Sequence, residues 1–376
     1  MTADLRERAI AAGMAAGLDA IGVASAEPFP DVRAILEDRR SSGLHGGMAF
    51  TYRNPARSTD PARSLPGSQA LVVGALGYRR STDDDHGTGT GIRASVARYS
   101  WEDFYAPLRR ALGDVAEVLR DDGWQARVLV DDNALVDRAA AHRAGLGWFG
   151  KNANLLLPGL GSWFVLGSVV TDAPLRPTAE KALTTDDGCG SCTRCLPACP
   201  TGALVEPGVL DARRCLAWLL EAPGSFPREH RVALGDRIYG CDDCQEVCPP
   251  NRLDERRRPA APAAADAEPS VDVVALLRMD DDALLDAHGR WYVPKRDPAY
   301  LRRNALVVLG NVGDPDDPDV GVSLRAALED EREIVRAHAV WAARRLGLDA
   351  LLEAVRDDPS PMVRDELGDA VPARTA

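Results

Sequence analysis

The spacing of apolar residues in the first 175 positions predicts helices that alternate with buried strands. The segment 5–24 combines an amphipathic helix with a short apolar strand. Continuous apolar runs at 70–78, 126–131 and 161–172 predict further buried strands, and 105–123 predicts an amphipathic helix that ends in a glycine. These elements together predict an α/β fold for the N-terminal part of the chain.

A different pattern follows the proline- and alanine-rich segment 256–270, which predicts a domain boundary. The sequences LRRNALVVLGNVG (301–313) and VRAHAVWAARRLG (335–347) align without gaps, and a third similar start follows at 358–367. The two segments start 34 residues apart, and helices that recur at such an interval indicate a short α-solenoid. Two unrelated amphipathic helices are the alternative.

Composition narrows the class of protein. The chain has 376 residues, of which 45% are hydrophobic and 27% charged, as in ordinary globular proteins. Its net charge of −12 argues against a nonspecific nucleic-acid binder, because phosphate contacts require basic residues, but it allows a local basic patch. The early charged residues do not resemble a signal peptide, and no apolar run is long enough to span a membrane. We therefore expect a cytoplasmic protein.

All eight cysteines lie between Cys189 and Cys248, and none occurs elsewhere in the chain. Thiols stay reduced in the cytoplasm. Disulfides that stabilise a large protein would not be confined to one short segment. The clustering therefore indicates metal ligands.

The spacing of the cysteines favours iron–sulfur clusters. The first four follow C-x₂-C-x₂-C-x₃-C-P, in which three cysteines bind one [4Fe–4S] cluster and the fourth binds another. The run CDDCQEVCP (241–249) has three cysteines, and Cys215 supplies a fourth. Two Cys₄ zinc sites are the alternative, which this spacing disfavours because one tetrahedral ion does not need it. Exchange of the last cysteine between the runs predicts one cluster bound by Cys189, Cys192, Cys195 and Cys248, and another bound by Cys199, Cys215, Cys241 and Cys244.

A second candidate site follows the predicted strand at 126–131. Asp131 lies at the carboxyl end of this strand, where sites of α/β proteins tend to lie. A helix is predicted over 134–143, and the glycine-rich turn GLGWFGK (145–151) comes next. Asp131 and its polar neighbours have a structural alternative as helix caps, and the glycines as turn residues.

These motifs resemble one protein family over nearly the entire chain. The combination of VDxxxxxxR…AGLGWxGKN, the two cysteine runs and RRNALVVLGN is similar to the epoxyqueuosine reductases. The resemblance implies a cobalamin-dependent iron–sulfur enzyme, related to reductive dehalogenases, that reduces epoxyqueuosine to queuosine at the wobble position of tRNA. It implies an α/β cobalamin-binding domain (1–175), a bacterial-ferredoxin-like domain with two [4Fe–4S] clusters (176–258), and a linker with C-terminal α-helical, HEAT-like repeats that help to bind tRNA (259–376).

The resemblance also implies roles for individual residues. Asp131 matches the proton donor of the family, and an acid is needed because epoxide opening produces an alkoxide, a poor leaving group. Cobalt is expected to bind without a protein histidine. This chain departs from the family pattern at Ala134, where proline is common, and at Tyr105, where histidine is common. The implied contacts with cobalamin are Arg57, Tyr99, Asp131, Arg138, Lys151 and Asn152.

The partners implied are the anticodon loop of tRNA and an external electron donor such as a flavodoxin or ferredoxin, with the enzyme itself a monomer. Trp218 and Trp291 are candidates to stack on an unpaired base. The alternative is a core position for both, which is preferred for Trp218. A set of basic residues could form a phosphate-binding strip: Arg252, Arg256, Arg257, Arg258, Arg290, Lys295, Arg296, Arg302 and Arg303. Pairing with aspartates on a solvated helix face is an equally fair interpretation of these arginines.

Two other functions remain open on the sequence alone. A small-molecule reductase similar to the dehalogenases would keep the clusters and the cobalamin. A ferredoxin-type electron carrier would keep the clusters but bind no corrin. Bound corrin would therefore distinguish the carrier from both enzymes.

Overall fold

The computed structural model describes residues 4–81, 91–179, 188–257, 260–369 and 371. The chain forms two compact units, and each unit combines stretches that are separate in sequence. A boundary between the units falls after Pro262, within the predicted boundary segment 256–270. Unit 1 comprises Met1–Ser81, Glu102–Arg213 and Asp242–Pro262, and unit 2 comprises Thr82–Trp101, Arg214–Cys241 and Ala263–Ala376.

The central sheet of unit 1 has four strands in the order β1–β2–β8–β5. Each neighbouring pair is antiparallel. The apolar runs therefore predicted the strands but not their relative direction, and the rule for carboxyl ends of parallel strands does not explain the position of Asp131. The strands are β1 (Ala20–Ser25), β2 (Ala70–Gly77), β5 (Ala126–Val130) and β8 (Phe164–Thr171).

Helices cover the sheet because their apolar faces match it. The long helix α4 buries Leu108, Leu112 and Leu119 and packs against β5 and β8. Helix α5 begins at Asp137, three residues later than predicted, because the Asp132 carboxylate accepts from the Ala134 amide at 2.9 Å and forms a turn before the helix. The helices are α1 (Leu5–Ala15), α2 (Pro30–Ser41), α3 (Pro55–Ser58), α4 (Tyr105–Asp121), α5 (Asp137–Arg143), α6 (Cys195–Ala198), α9 (Asp243–Glu246) and α10 (Pro249–Arg257).

Three small two-stranded sheets complete the strands of unit 1 within the described ranges. Strand β3 pairs in parallel with β12, whereas the other two pairs, β6 with β7 and β9 with β10, are antiparallel. Their bounds are β3 (Arg80–Ser81), β6 (Trp148–Phe149), β7 (Leu155–Leu156), β9 (Leu204–Glu206), β10 (Val209–Leu210) and β12 (Ala261–Pro262).

Unit 2 combines a three-stranded sheet, β11–β4–β13, with helices. The repeated segments 301–313 and 335–347 lie in α13 and α15, which pack against each other, and α15 also packs against α14 and α16. The elements are β4 (Arg93–Val96), β11 (Arg237–Tyr239), β13 (Ser270–Asp272), α7 (Leu216–Glu221), α8 (Arg228–Leu234), α11 (Val273–Arg278), α12 (Asp281–His288), α13 (Ala299–Val312), α14 (Pro318–Leu328), α15 (Glu333–Arg345) and α16 (Pro361–Gly368).

Helix α13 is the central element of unit 2. Every residue from 301 to 310 is buried, although the stretch begins with two arginines and an asparagine. A helix buried on all sides must satisfy its polar side chains within the protein. None of the described helices is long and apolar enough to cross a membrane. Short 3₁₀ segments lie at Pro61–Arg63, Arg98–Ser100, Ala212–Arg214, Pro294–Arg296 and Asp349–Val355.

Candidate active site and cysteine loops

Asp131 follows β5, the last strand of the central sheet in unit 1. Its backbone is left-handed, with φ of 53°, a conformation that residues with a side chain rarely adopt. Arg109 on α4 donates to the Val130 carbonyl at 3.0 Å and so brings a positive charge to the end of the strand. The side chain of Asp131 as a whole is exposed, yet partial burial of its carboxyl raises the pKa, opposed by Arg109 and reinforced by Asp132.

Two more carboxyl groups lie close to Asp131 in the chain, one in the loop and one at the start of α5. The Asp132 carboxylate accepts from the Ala134 amide in the turn before α5, but α5 itself has no side-chain cap, so the capping alternative is not observed. Asp137 lies in the first turn of α5, where burial raises its pKa well above the usual value, and Asp131 and Asp132 raise it further. The charges of Asp131 and Asp132 thus act on Asp137, and that of Asp132 acts on Asp131.

The glycine-rich turn connects this loop to the first cysteine run. Arg138 on α5 donates to the Ala153 carbonyl at 3.1 Å. Lys151 is the last residue of the glycine-rich turn, and its ammonium group donates to the Gly190 carbonyl at 2.6 Å. Gly190 follows Cys189 directly, so these two hydrogen bonds link the region of Asp131 to the loop that carries the first cysteines.

Asn152 makes a second connection to the cysteine region. Its side chain is buried, and Oδ1 accepts from the Asn154 amide at 3.1 Å. Its Nδ2 points towards the carbonyl of Cys244 at 3.5 Å. Lys151 and Asn152, both predicted to contact the cofactor, thus bind the protein backbone around the cysteines.

The other predicted cofactor contacts occupy different places. Arg57 on α3 is exposed, and its neighbour Ser58 donates to the Asn133 carbonyl at 2.9 Å, which ties α3 to the Asp131 loop. Tyr99 belongs to unit 2, where its hydroxyl hydrogen-bonds to Glu221 at 3.1 Å. Five of the six predicted residues therefore belong to unit 1, and Tyr99 does not.

The cysteines of unit 1 support the predicted exchange between runs. Cys248 is buried, and Cys189 packs in the same cluster as Cys248. Burial, with added contributions from the charges of Cys189, Cys195 and Cys192, raises the pKa of the Cys248 thiol to about 12. The last cysteine of the second run thus lies near the first three cysteines of the first run.

The residues around these four cysteines suit an iron–sulfur cluster. Trp148 packs against Cys248, and its indole N–H is buried without a hydrogen-bond partner among the described residues. A sulfur of a cluster would accept from this donor. Gly188 is required here, because an added Cβ would lie 1.9 Å from the Trp148 ring. Within the described ranges, no three His, Cys, Asp or Glu side chains are gathered around a position for a single metal ion.

The remaining cysteines are divided between the units. In unit 1, the Cys199 sulfur accepts from the Ala203 amide at 3.2 Å, an interaction that stabilises a thiolate. Cys244 lies in α9. In unit 2, Cys215 directly precedes α7, and Cys241 lies two residues after β11.

A buried polar network beside the cysteines was not predicted from the sequence. The Asn251 side chain accepts from the Ser162 amide at 2.7 Å and donates to the Gln245 carbonyl at 2.7 Å. Gly161, with φ of 60°, allows this approach, since an added Cβ would lie 1.8 Å from the Asn251 oxygen. The only signal in the sequence is a polar residue directly after Cys-Pro-Pro, which is too weak to indicate a partner 89 residues away.

The structure corrects the predicted RNA-binding residues. Arg303 is fully buried, and Arg302 is 6% exposed and hydrogen-bonded to Asp281. Trp291 is buried and stacked between Tyr239 and His288, so the prediction that it offers a ring to a base is wrong. Trp218 is buried, in agreement with the core position preferred for it from the sequence.

Other members of the predicted strip keep exposed side chains. Lys295 and Arg296 are exposed, and both have left-handed backbones with φ of 54°. Arg290 is partly exposed and donates to Glu268 at 3.3 Å. Arg252 and Arg256 are exposed on α10, whereas the side chain of Arg257 and all of Arg258 lie outside the described residues.

The two ferredoxin-type cysteine runs and the packed repeat helices α13 and α15 together define an iron–sulfur protein with a helical repeat. Two family descriptions agree with this class: the "4Fe-4S double cluster binding domain" matches residues 188–251, and "HEAT repeats" matches 293–371. The alternative of two unrelated helices is thereby excluded, and the predicted repeat is confirmed.

Comparison with individual proteins identifies the family. The chain is 32% identical to an epoxyqueuosine reductase of Bacillus cereus over 93% of this chain and 91% of that protein. The corresponding enzyme of Staphylococcus aureus is 32% identical over 97% and 96%. A crystal structure of epoxyqueuosine reductase with an epoxyqueuosine-modified tRNA-Tyr stem loop superposes with a TM-score of 0.86, at 30% identity and 96% coverage of both chains.

A Bacillus subtilis epoxyqueuosine reductase, with its catalytic loop swung out of the active site, gives a TM-score of 0.85 at 30% identity, over 96% of this chain and 97% of that one. The chain belongs to the epoxyqueuosine reductase family.

Proposed function

We propose that this chain reduces epoxyqueuosine to queuosine in tRNA. The observation that carries the proposal is the match to epoxyqueuosine reductases along nearly their whole length, one of them crystallised with the modified stem loop. The reaction consumes two electrons and two protons, cleaves both C–O bonds of the epoxide, forms the alkene and releases water. We expect the enzyme to act on its tRNA substrate in the cytoplasm.

Asp131 is the proposed proton donor. The first C–O cleavage leaves an alkoxide, and proton transfer from a nearby acid prevents the accumulation of that charge. The raised pKa favours the protonated form that a donor needs. Asp132 adds to the raised pKa of Asp131, and Arg109 binds the carbonyl at the end of β5 from which the loop departs.

We propose cobalamin as the cofactor, on the basis of the family resemblance. When bound, it supplies a metal that can accept single electrons and take part in a two-electron reduction. The exposed side chains of Asp131, Arg57 and Arg138 are available to a large polar ligand. Lys151 and Asn152 would act through the backbone segments to which they are bonded.

Two [4Fe–4S] clusters are the proposed source of the electrons, which arrive from an external flavodoxin or ferredoxin. The position of Cys248 supports a first cluster held by Cys189, Cys192, Cys195 and Cys248. The assignment of the second cluster to Cys199, Cys215, Cys241 and Cys244 rests on the cysteine spacing. The hydrogen bond from Lys151 to Gly190 gives the Asp131 region a fixed connection to the first cysteine run.

Recognition of the tRNA falls to exposed cations in this proposal. Lys295 and Arg296 in unit 2, and Arg252 and Arg256 in unit 1, are described members of the predicted strip with exposed side chains. Cations of this kind bind phosphates without reading the base sequence. The enzyme is expected to act as a monomer, which sedimentation would test.

The experiment is an anaerobic single-turnover assay. The protein is reconstituted with iron, sulfide and cobalamin, and it receives a strong reductant and epoxyqueuosine-containing tRNA. Mass spectrometry of the digested nucleosides should reveal a product lighter by one oxygen. Asp131→Asn and a sample without cobalamin should yield none. Absence of product despite bound corrin and full iron content would exclude the tRNA reaction and favour a small-molecule reductase. A protein that binds no corrin would be an electron carrier.

A further inference from the structure

Arg303 is a fully buried cation at the centre of unit 2. It lies on α13 and is 0% exposed. All three of its guanidinium nitrogens donate hydrogen bonds. The acceptors are the Asn304 Oδ1 at 3.0 and 2.8 Å and the backbone carbonyls of Leu219 (3.1 Å), Leu220 (2.9 Å), Ala222 (2.7 Å) and Gly224 (2.6 Å).

These four carbonyls lie in the second half of α7 and just after it, and Cys215 directly precedes the same helix. Helix α7 has six residues, and the carbonyls of its last turn have no partner within the helix. A helix this short is not stable alone. Its first hydrogen bond joins the Cys215 carbonyl to the Leu219 amide at 2.9 Å, so Leu219 connects Cys215 to the carbonyls that Arg303 binds.

The neighbouring side chain reaches the segment of the other cysteine in unit 2. Asn304 is also 0% exposed, and its Nδ2 donates to the carbonyl of Leu220 at 3.0 Å and contacts that of Ile238 at 3.4 Å. Ile238 is the central residue of β11, three residues before Cys241. Two adjacent residues of α13 therefore bind both the helix after Cys215 and the strand before Cys241.

A third side chain of the same helix extends this attachment. The Asn311 Nδ2 donates to the Arg231 carbonyl at 2.7 Å and to the Gly235 carbonyl at 3.1 Å. These carbonyls lie in α8 and in the turn that leads to β11. Helix α13 thus holds three consecutive pieces of the segment between Cys215 and Cys241.

We propose that Arg303 and Asn304 are positioning residues for Cys215 and Cys241. A cluster requires its thiolates at fixed positions, and neither a six-residue helix nor a three-residue strand can hold one alone. The helical repeat therefore serves electron transfer through the geometry of two ligands. The inference rests on the proposed assignment of these cysteines to an iron–sulfur cluster.

The first test uses the chain without metal and measures the alkylation of each cysteine by mass spectrometry. Arg303→Lys keeps the charge but loses the planar fork, and Asn304→Ala removes the link between α7 and β11. We expect Cys215 and Cys241 to react about tenfold faster or more in both variants, because local opening becomes easier. Cys189 and Cys192 in unit 1 should keep the parent rate.

Arg302→Lys is the matched control. Arg302 is the preceding residue on α13 and is also buried, but it donates to Asp281 and to the Met279 carbonyl, away from both cysteines. It should lower stability without accelerating Cys215 or Cys241 selectively. Parent alkylation rates in Arg303→Lys and Asn304→Ala, or equal acceleration of all cysteines, would overturn the proposal.

The second test measures the reconstituted protein. Arg303→Lys should lower the iron content from about eight towards about four per chain, or shift the reduction potential of one cluster only. Retention of full iron with both potentials unchanged would contradict the proposal. Neither test uses the substrate. A protein inactive on tRNA whose cysteines still respond to these variants would refute the proposed function and leave the positioning role intact.

Discussion

The loop at Asp131 and the interior of unit 2 place charged groups in opposite ways. Asp131 has a left-handed backbone and an exposed side chain, and burial, followed by the charges of Asp131 and Asp132, raises the pKa of the neighbouring Asp137. In unit 2, the guanidinium of Arg231 is fully buried and donates to both carboxylate oxygens of Glu366, at 3.0 and 2.8 Å. The Asp131 side chain is therefore accessible to solvent, whereas the buried ion pair of Arg231 and Glu366 joins α8 to α16.

The difference teaches how to interpret a charged motif in this fold. Asp131 and Arg303 both lie in segments that resemble family motifs, yet Arg303 is enclosed by carbonyl oxygens of its own unit. Burial lowers the pKa of Arg303 to about 9, while Tyr300 opposes this and Arg231 adds to it. A buried cation tolerates this environment only because every donor is satisfied. Variants at Asp131 should therefore change chemistry with little loss of stability, and variants inside unit 2 should do the reverse.

The largest effect is expected for Asp131→Asn. Loss of the proton donor should reduce the single-turnover rate by about 10²–10⁴-fold, while the melting temperature and iron content stay at parent values. Asp132→Asn is the matched control, because asparagine keeps the acceptor for the Ala134 amide. A parent rate in Asp131→Asn would remove Asp131 from the mechanism.

The pH profile sharpens this prediction. A proton donor is active below its pKa, so the rate should fall as pH rises through the raised pKa of Asp131. Asp132→Asn removes a charge that raises this pKa, and the fall should therefore move to lower pH. A profile that is the same in both proteins would show that the titrating group is not Asp131.

Glu366→Gln tests the opposite region. Glu366 is 2% exposed and accepts from both Arg231 and Arg228. Removal of its charge leaves Arg231 buried without a counterion and should lower the free energy of unfolding by about 3–5 kcal/mol. Denaturant titration measures the change. The alkylation pattern of the unit 1 cysteines should not change in the folded variant.

His338 should make the stability of unit 2 sensitive to acid. It is fully buried, accepts from the Phe226 amide at Nε2 and hydrogen-bonds the Ile334 carbonyl through Nδ1. Burial, together with Arg231, lowers its pKa well below 6.5. The unfolded chain therefore binds a proton that the folded chain rejects, and stability is present above pH 6.5 and lost as pH falls below it.

The expected slope is about 1.4 kcal/mol per pH unit below this point. Thermal unfolding between pH 7 and 5 measures it. His338→Gln should lower stability at pH 7 but remove this part of the slope. An unchanged slope in His338→Gln would assign the acid sensitivity to other groups.

The smallest effect is expected for Arg278→Ala. Arg278 and Asp319 form an ion pair whose side chains are 49% and 59% exposed. Water screens such pairs, and the loss should be below about 1 kcal/mol. A cost close to that of Glu366→Gln would invalidate the contrast between exposed and buried charge on which these predictions depend.

The comparison also indicates what reasoning from local patterns could reach. The apolar runs at 70–78 and 126–131 predicted the bounds of β2 and β5 closely, but β2 is buried over most of its length whereas only Leu129 and Val130 of β5 are buried. The start of α5 was displaced by the turn at Asp132, since a side-chain acceptor competes with the first helical hydrogen bonds. Lys151 and Asn152 were found as special residues, but their bonds to the backbone near the cysteines were not.

The sequence by itself determined the cysteine spacing, the repeat in the C-terminal part and the candidate acid at position 131, because each depends on residues close together in the chain. Only the tertiary structure decided that the central sheet is antiparallel, that Trp291 is stacked in a core and that Arg303 faces inwards. The sign of a charge can be read from one residue, but its exposure depends on segments about 80 positions away that supply or withhold hydrogen-bond partners.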